Sequence, residues 1–320
     1  MTSCHEAYLV TQNPVLSIVV PMYNESENVW LFYERLKKVL DQIGESYEII
    51  CVNDGSTDDT IEKLLKLREM DSNVKIIDFS RNFGKEIALT AGIDFSSGEA
   101  VIPIDADLQD PPEIIPELIN KWREGYDVVY AIRTNREGES WFKRFATGIF
   151  YKLAASIMFV KIPRDVRDFR LMSRPVVEVL KNLRERNRFM KGLFAWVGFS
   201  SAAVYYSYEK RHGGKTKWNY WKLWNFALEG ITSFSYIPLQ IATYFGFAIA
   251  FFSFVYASYI VIKTLIVGRE LPGYASIIVS ILFLGGIQLI CLGILGEYIG
   301  RIYTEVKKRP LYVVRRKYGL

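Results

Sequence analysis

Five short apolar runs alternate with amphipathic stretches over the first 135 residues. The runs are Leu16–Val20, Tyr47–Asn53, Val74–Phe79, Ala100–Ile104 and Val128–Ile132. Each is strand-length, rich in Val and Ile, and apolar on successive rather than alternate positions, as expected of strands buried on both faces. Between them, Glu27–Ile43, Asp58–Met70, Lys85–Phe95 and Pro112–Glu124 carry apolar residues at three- and four-residue spacing, which predicts helices. Strand and helix in strict alternation predict crossover connections and a mostly parallel α/β sheet covered on both sides. Ligands of such sheets bind beyond the carboxyl ends of the strands, so the residues that follow each run are the candidates for chemistry.

The pattern changes after Arg133. Phe142, Phe145, Ile149 and Leu153 recur at helical spacing among Lys143, Arg144 and Lys152, which suits either a core helix or one lying on a membrane surface. Lys217–Glu229 places Trp218, Trp221 and Leu228 along one helical stripe beside Lys217 and Lys222, a pattern expected at the headgroup zone. Neither Gly230–Ile262 nor Leu271–Gly296 contains a charged residue. Each is longer than the roughly 20 residues that cross a bilayer core as a helix, so two C-terminal transmembrane helices are expected. Beyond them, Arg301, Lys307, Lys308, Arg309, Arg315, Arg316 and Lys317 outnumber Glu297 and Glu305. The positive-inside rule puts this basic tail, and with two spans the N-terminal domain too, in the cytoplasm. Lys263–Glu270 is then a short external turn.

Composition narrows the chemistry. The 320 residues are 50% hydrophobic and 23% charged, which excludes wholesale disorder. The net charge is +5 and the mean hydropathy +0.08, the latter concentrated in the two spans. Three distant cysteines provide no disulfide framework or zinc spacing, and two histidines leave little scope for histidine-based metal sites or Ser-His-Asp catalysis. No apolar core precedes Leu16, so no signal peptide is expected. G-x-G-x-x-G and P-loop patterns are absent, which counts against dinucleotide oxidoreductases and P-loop ATPases. Nothing points to a nucleic-acid partner.

The end of the fourth run, Asp105-Ala106-Asp107-Leu108-Gln109-Asp110-Pro111-Pro112-Glu113, is the sharpest candidate. If the chain stays extended past the strand, Asp105, Asp107 and Gln109 project to one side. Three hard oxygen donors suit Mg2+ or Mn2+ with positions left open for phosphate; the plainer alternative is a solvated acidic loop. The second run ends in Asn53-Asp54-Gly55-Ser56-Thr57. Asp54 there can accept the imide N–H of a uracil, while Ser56 or Thr57 serves equally as a helix N-cap. Glu25, after the first run, suits either a site or a local cap, and Gly84-Lys85, after the third, either a site or a simple loop.

Pro21–Glu25, Asn53–Ser56 and Asp105–Glu113, taken in order, resemble family 2 glycosyltransferases, and within them the dolichyl-phosphate mannosyltransferase branch. Asp168-Phe169-Arg170-Leu171-Met172 and Lys210–Ser235 narrow the likeness to bacterial polyprenyl-phosphate glycosyltransferases with two C-terminal spans, the undecaprenyl-phosphate glucose type. The Gln-x-x-Arg-Trp motif of processive polysaccharide synthases is absent. The resemblance implies a GT-A domain that moves a hexose, glucose by subfamily likeness, from a UDP-sugar to polyprenyl phosphate with inversion. It implies a nucleotide-sugar site of Pro21, Tyr23, Glu25, Asp54, Lys85, Asp105 and Ala106, closed by Arg211, Lys215 and Lys217 of a basic loop. It implies a Mg2+ or Mn2+ held by Asp105, Asp107 and Gln109, and catalytic roles for Asp107 and Asp168, the latter as a base or as an orienting group for Arg170 or substrate. Arg133, Arg136, Lys143 and Arg144 are candidates for the acceptor phosphate, against the alternative of a solvated helix face.

The expected organisation is a cytoplasmic catalytic domain over 1–210, a basic loop with an interfacial helix over 211–236, two membrane helices over 237–297 and a basic cytoplasmic tail over 298–320. That places an integral protein in a bacterial-type plasma membrane, with a homo-oligomer compatible with its aromatic helices. Transfer to another acceptor (protein, diacylglycerol or polysaccharide) and a non-catalytic nucleotide-binding scaffold are the competing expectations.

Overall fold

The computed structural model describes residues 13–133, 166–186, 188–206, 235–268 and 273–320. Arg136, Lys143, Arg144, Arg211, Lys215 and Lys217 lie outside the described residues, as do the helical patterns expected near 139–159 and 217–229. The chain divides into two compact units; the first takes in the N-terminal part together with Pro310–Leu320, the second the two long apolar helices.

In the first unit, β1 (Leu16–Met22), α1 (Val29–Ile43), β2 (Tyr47–Asn53), α2 (Thr60–Met70), β3 (Val74–Phe79), α3 (Lys85–Phe95) and β4 (Ala100–Pro103) follow one another as the apolar pattern predicts. A single 3-10 turn at Pro112–Ile114 leads into α4 (Ile115–Arg123), and β5 (Val128–Arg133) follows. β1 pairs in parallel with β2 and β4, and β2 with β3. Successive residues of β2 face opposite sides: Ile49 and Cys51 join the core cluster beneath α1 and α2, and Ile50 and Val52 the cluster with Ala88 and Ala91 of α3. Burial on both faces is why the run is apolar without alternation.

Three further strands complete the sheet: β6 (Val166–Ser173), β7 (Ser201–Tyr206) and β8 (Val314–Tyr318), with α5 (Arg174–Asn182) and α6 (Met190–Trp196) between β6 and β7. Among the described residues the strand order is β7-β5-β6-β4-β1-β2-β3-β8. β6 runs antiparallel to both β4 and β5, and β8 antiparallel to β3. The reversal of β6 matters for the site. An antiparallel strand begins where its parallel neighbours end, so Arg167 and Asp168 lie at the edge reached by the carboxyl ends of β1 to β4. The end of the basic tail is a sheet strand, which its polarity did not announce.

In the second unit, α7 (Ile237–Val267) and α8 (Tyr274–Val306) have 31 and 33 residues. Phe247, Phe251, Phe254, Leu282 and Leu289 are all largely exposed. A helix apolar on every side and packed into no core is built for lipid. Both are long and apolar enough to cross a membrane. α8 continues past the end of the uncharged run at Gly296 through Glu297 and Arg301, which pair at 3.0 Å.

Candidate active site

Two loops at the carboxyl edge of the sheet are stitched together by short polar side chains. After β1, Asn24 takes a left-handed φ of 54°. Its N–H donates to Ser56 Oγ at 3.0 Å and its Oδ1 accepts from the Thr57 N–H at 2.8 Å. The Glu25 N–H donates to Thr60 Oγ1 at 3.1 Å, and Glu25 Oε2 accepts from Asn28 at 2.6 Å. These local bonds are compatible with both readings of Glu25. Ser56 and Thr57 are not the cap of α2: its N-cap residue is Asp59, and Asp58 Oδ1 receives the Thr60 N–H at 3.1 Å.

Asp54 follows β2 and is buried. Its two oxygens accept the N–H groups of Phe83 at 2.7 Å and Gly84 at 2.9 Å. Burial pushes its carboxyl up, against the lowering effect of these two N–H groups and Arg81. Each oxygen keeps a second lone pair, so the clamp on the 83–84 turn is compatible with accepting a base N–H as well. Gly55, at φ 64°, lets the two loops touch: a Cβ there would lie 2.4 Å from the Arg81 carbonyl carbon. Pro21 sits in β1 in register with Val52, and Tyr23 just beyond it is partly exposed.

The acidic segment departs from the extended course expected of it. Pro103 ends β4, the chain turns at Ala106–Asp110, and Leu108 adopts a left-handed φ of 59°. The side-chain alternation nonetheless survives the turn. Ile104, Ala106, Leu108 and Asp110 are buried, while Asp105, Asp107 and Gln109 stay on the accessible side. Asp107 Oδ1 accepts the Gln109 N–H at 3.1 Å. The Ala106 side chain packs in the core between the two accessible aspartates.

The centre of the cluster is Lys85, at the first turn of α3. Its ammonium lies 2.7 Å from Asp105 Oδ2 and 2.8 Å from Asp168 Oδ2, joining the ends of β4 and β6. Arg167 on the same strand donates to Gln109 Oε1 at 3.0 Å. Burial would raise the Asp168 carboxyl, but Lys85, Lys191 and Arg170 outweigh it and hold it well below the usual carboxylate range. Its other oxygen, Oδ1, is buried without a hydrogen-bond partner. Arg170 reaches the Asp168 carbonyl oxygen at 3.2 Å, not its carboxylate, and stacks 3.8 Å from the Phe194 ring; burial pushes its guanidinium down to about 10.

Several participants are absent from the residues singled out by sequence. Glu86 accepts the Met190 N–H at 3.2 Å, and burial together with the Asp168 charge pushes its carboxyl up to about 7. Burial lowers the Lys191 ammonium. Asp110, buried and hydrogen-bonded by Tyr206, is pushed up to about 6 by burial and by Asp105. The alternating charges of Arg167-Asp168-Phe169-Arg170 were the one available signal, and only their strand direction gives it meaning. Arg133 ends β5 in register with Tyr206.

The donor chemistry fits a divalent cation. Asp105, Asp107 and Gln109 offer hard oxygens on one accessible side, and a Mg2+ or Mn2+ held by two carboxylates and an amide keeps positions for phosphate. Among the described residues no group of three acidic, histidine or cysteine side chains makes a closed metal cage. Asp105 and Gln109 meet Lys85 and Arg167, which bring two positive charges to this acidic segment.

The pattern of Glycosyl transferase family 2 matches residues 17–181, the span that holds every loop just described. The chain belongs to glycosyl transferase family 2. It is a glycosyltransferase with a GT-A fold, and residues 237–302 match the GtrB C-terminal hairpin. An uncharacterized glycosyltransferase of Synechocystis is 57% identical over 95% of this chain and 96% of its own. The SfII prophage-derived bactoprenol glucosyl transferase of Shigella flexneri is 50% identical over 95% of this chain and 98% of its own. The prophage bactoprenol glucosyl transferase homolog of Escherichia coli is also 50% identical, over 94% of this chain and 98% of its own. Among solved structures, the glucosyl-3-phosphoglycerate synthase of Mycobacterium tuberculosis aligns with a TM-score of 0.47 at 19% identity, over 68% of this chain and 78% of that one.

Proposed function

We propose that this protein transfers glucose from UDP-glucose to polyprenyl phosphate, giving glucosyl-phospho-polyprenol and UDP with inversion at the anomeric carbon. The observation that carries the reading is the 50% identity to a bactoprenol glucosyl transferase over nearly the whole of both chains, hairpin included. The bare fold would not support it, since one fold hosts many chemistries.

The acceptor is a phosphate monoester with a second pKa near ~6, largely dianionic at neutral pH. One of its oxygens attacks the anomeric carbon as the bond to the UDP β-phosphate oxygen breaks, and UDP leaves with the electron pair. No proton must be removed from the nucleophile. This fits the state of Asp168, a carboxylate held ionised by Lys85 and therefore a poor base. In our reading Asp168 positions Lys85, and its free Oδ1 faces a polar group of the bound substrate. Asp54 accepts the uracil N–H; Lys85 meets the donor diphosphate. A divalent cation at Asp105, Asp107 and Gln109 would neutralise charge on the leaving diphosphate. Arg133 is assigned to the acceptor phosphate with Arg136, Lys143 and Arg144, and Arg211, Lys215 and Lys217 to closure over the donor. Arginine suits that task through its bidentate geometry. The two spans anchor the protein in the membrane that carries the acceptor lipid, with the catalytic domain and both termini in the cytoplasm by the charge of the tail.

The test uses the full-length protein in lipid nanodiscs with undecaprenyl phosphate, Mg2+ or Mn2+, and labelled UDP-glucose, UDP-galactose or GDP-mannose. The expected product is labelled lipid from UDP-glucose alone, released by mild acid. Label in protein, in an acid-stable lipid or in polymer would overturn the acceptor. Incorporation from another donor in preference would overturn glucose. An unaltered rate in Asp107→Ala would overturn the site.

A further inference from the structure

Residues 310–320 are built into the donor side of the catalytic unit by three connections, two of which share Arg315. First, β8 closes onto β3 with a register shift: Asp78 pairs with Arg316 and Phe79 with Val314, so Arg315 is the extra residue of a bulge. Bulges re-aim side chains, and Arg315 uses this one to reach inward: Nη2 donates to the Ser80 carbonyl at 2.9 Å and Nη1 lies 3.7 Å from Asp78 Oδ2. The Ser80 N–H in turn donates to the Val313 carbonyl at 3.0 Å. Both backbone groups of Ser80 are thus tied to the tail, and Ser80 opens the turn whose Phe83 and Gly84 N–H groups clamp Asp54.

Second, buried Asp78 accepts from Asn53 Nδ2 at 2.8 Å, and Asn53 Oδ1 accepts the Ser56 N–H at 3.3 Å. The Arg315 charge therefore reaches the Asp54-Gly55-Ser56 turn from its other flank. Third, Tyr312 stacks on Phe79 at 5.2 Å between ring centroids, and Phe79 packs edge-on against Phe83 at 5.5 Å. Tyr312 is itself pinned by a 2.8 Å hydrogen bond from its hydroxyl to Asp94 Oδ2, which Arg184 also holds at 2.7 Å. All three connections end on the two turns, 53–56 and 80–84, that meet at Asp54.

We infer that the C-terminal segment 310–320 is a positioning element for the nucleotide pocket, with Arg315 and Tyr312 as its two positioning residues. The segment touches no reacting group. It fixes the spacing of the two turns and so presets Asp54 for the donor base, a cost otherwise met when the ligand binds. This rests on the assignment of the nucleotide to Asp54 made above.

The test measures UDP affinity by calorimetry and steady-state kinetics on the full-length protein in nanodiscs. Arg315 has a side chain 58% exposed, so Arg315→Ala is expected to fold. It should weaken UDP binding and raise the UDP-glucose KM together, by about threefold to tenfold, with kcat and the polyprenyl phosphate KM within about twofold. Tyr312→Ala should do the same. Asp78→Asn should match Arg315→Ala, and the double variant should be no worse than either single, because the residues share one connection. Unchanged UDP affinity in both Arg315→Ala and Tyr312→Ala, or a loss that falls on kcat or on the acceptor KM, overturns the inference. If the unaltered protein does not bind UDP, the donor assignment itself fails, which is a different result.

Discussion

Gly55→Ala should damage the donor site out of proportion to its size. At φ 64° an alanine in place of glycine costs about 1–2 kcal/mol of backbone strain. The new Cβ would also lie 2.4 Å from the Arg81 carbonyl carbon and 2.6 Å from the Asn82 nitrogen. Both are backbone atoms and have no rotamer to escape into, so overpacking adds about 1–3 kcal/mol. The 81–82 segment yields by moving away, and it carries the Phe83 and Gly84 N–H groups off Asp54. A total near ~3 kcal/mol corresponds to about a hundredfold loss of UDP affinity if it is all expressed locally. Gly44 provides the control. Its φ is 72° and no heavy atom lies within 4 Å of its Cβ position, so Gly44→Ala carries the backbone term alone. Thermal melts and UDP titrations of both variants decide the matter. Equal damage from the two substitutions, or a Gly55→Ala protein with UDP affinity within about twofold of the parent, would refute the close approach of the loops.

Lys85→Met strands Asp105 and Asp168 without their shared cation. Because the lysine side chain is 46% exposed, the stability loss should be a modest ~1 kcal/mol, while turnover falls by two orders of magnitude or more; turnover within threefold of the parent would remove Lys85 from the site. Glu86 has a folded pKa raised to about 7 from an ordinary 4.5, so its contribution to stability is full below 4.5 and is lost as pH rises through 7. Glu86→Gln should therefore compare better with the parent at pH 8 than at pH 5 in denaturant titrations, and an unchanged difference would contradict the assignment. Glu48 is buried and accepts from Ser17 and Lys75 at 2.5 Å each and from the Ser97 N–H at 2.7 Å. Burial alone would raise its carboxyl, but these partners lower it, so its contribution is present above 4.5 and lost as pH falls through the depressed value. Glu48→Gln should cost about 3 kcal/mol at pH 7 and less in acid, read from the same titrations.

The parts of the molecule that could be read from sequence are those whose environment is uniform along the segment. β1, β2 and β3 are buried on both faces, and their apolar runs match the observed strands to within a residue or two. β6 escaped because Arg167, Asp168 and Arg170 interrupt its run, and those charges meet Gln109, Lys85 and the strand's own backbone, partners far away in sequence or invisible in it. β8, with Arg315-Arg316-Lys317, has the composition of a solvated tail, since an edge strand exposes most of its side chains. The site divides the same way. Asp105 and Asp107 stand directly after a buried run and are conspicuous. Lys85, the partner of Asp105, reaches Asp168, 83 positions away in sequence, because a strand reverses direction, and no local pattern encodes that. The side-chain alternation over Asp105–Gln109 was legible even though the extended backbone assumed for it was not what the chain adopts.

The pairing of β3 with β8 also fixes an order of events during synthesis. β3 emerges from the ribosome early, but its outer neighbour is translated only after both apolar helices. Until then one border of the nascent sheet lies open, with unsatisfied amide and carbonyl groups that invite strand exchange. Premature termination between the hairpin and β8 would deliver an anchored enzyme with a sticky flank, so nonsense changes there should register as aggregation together with weakened donor binding.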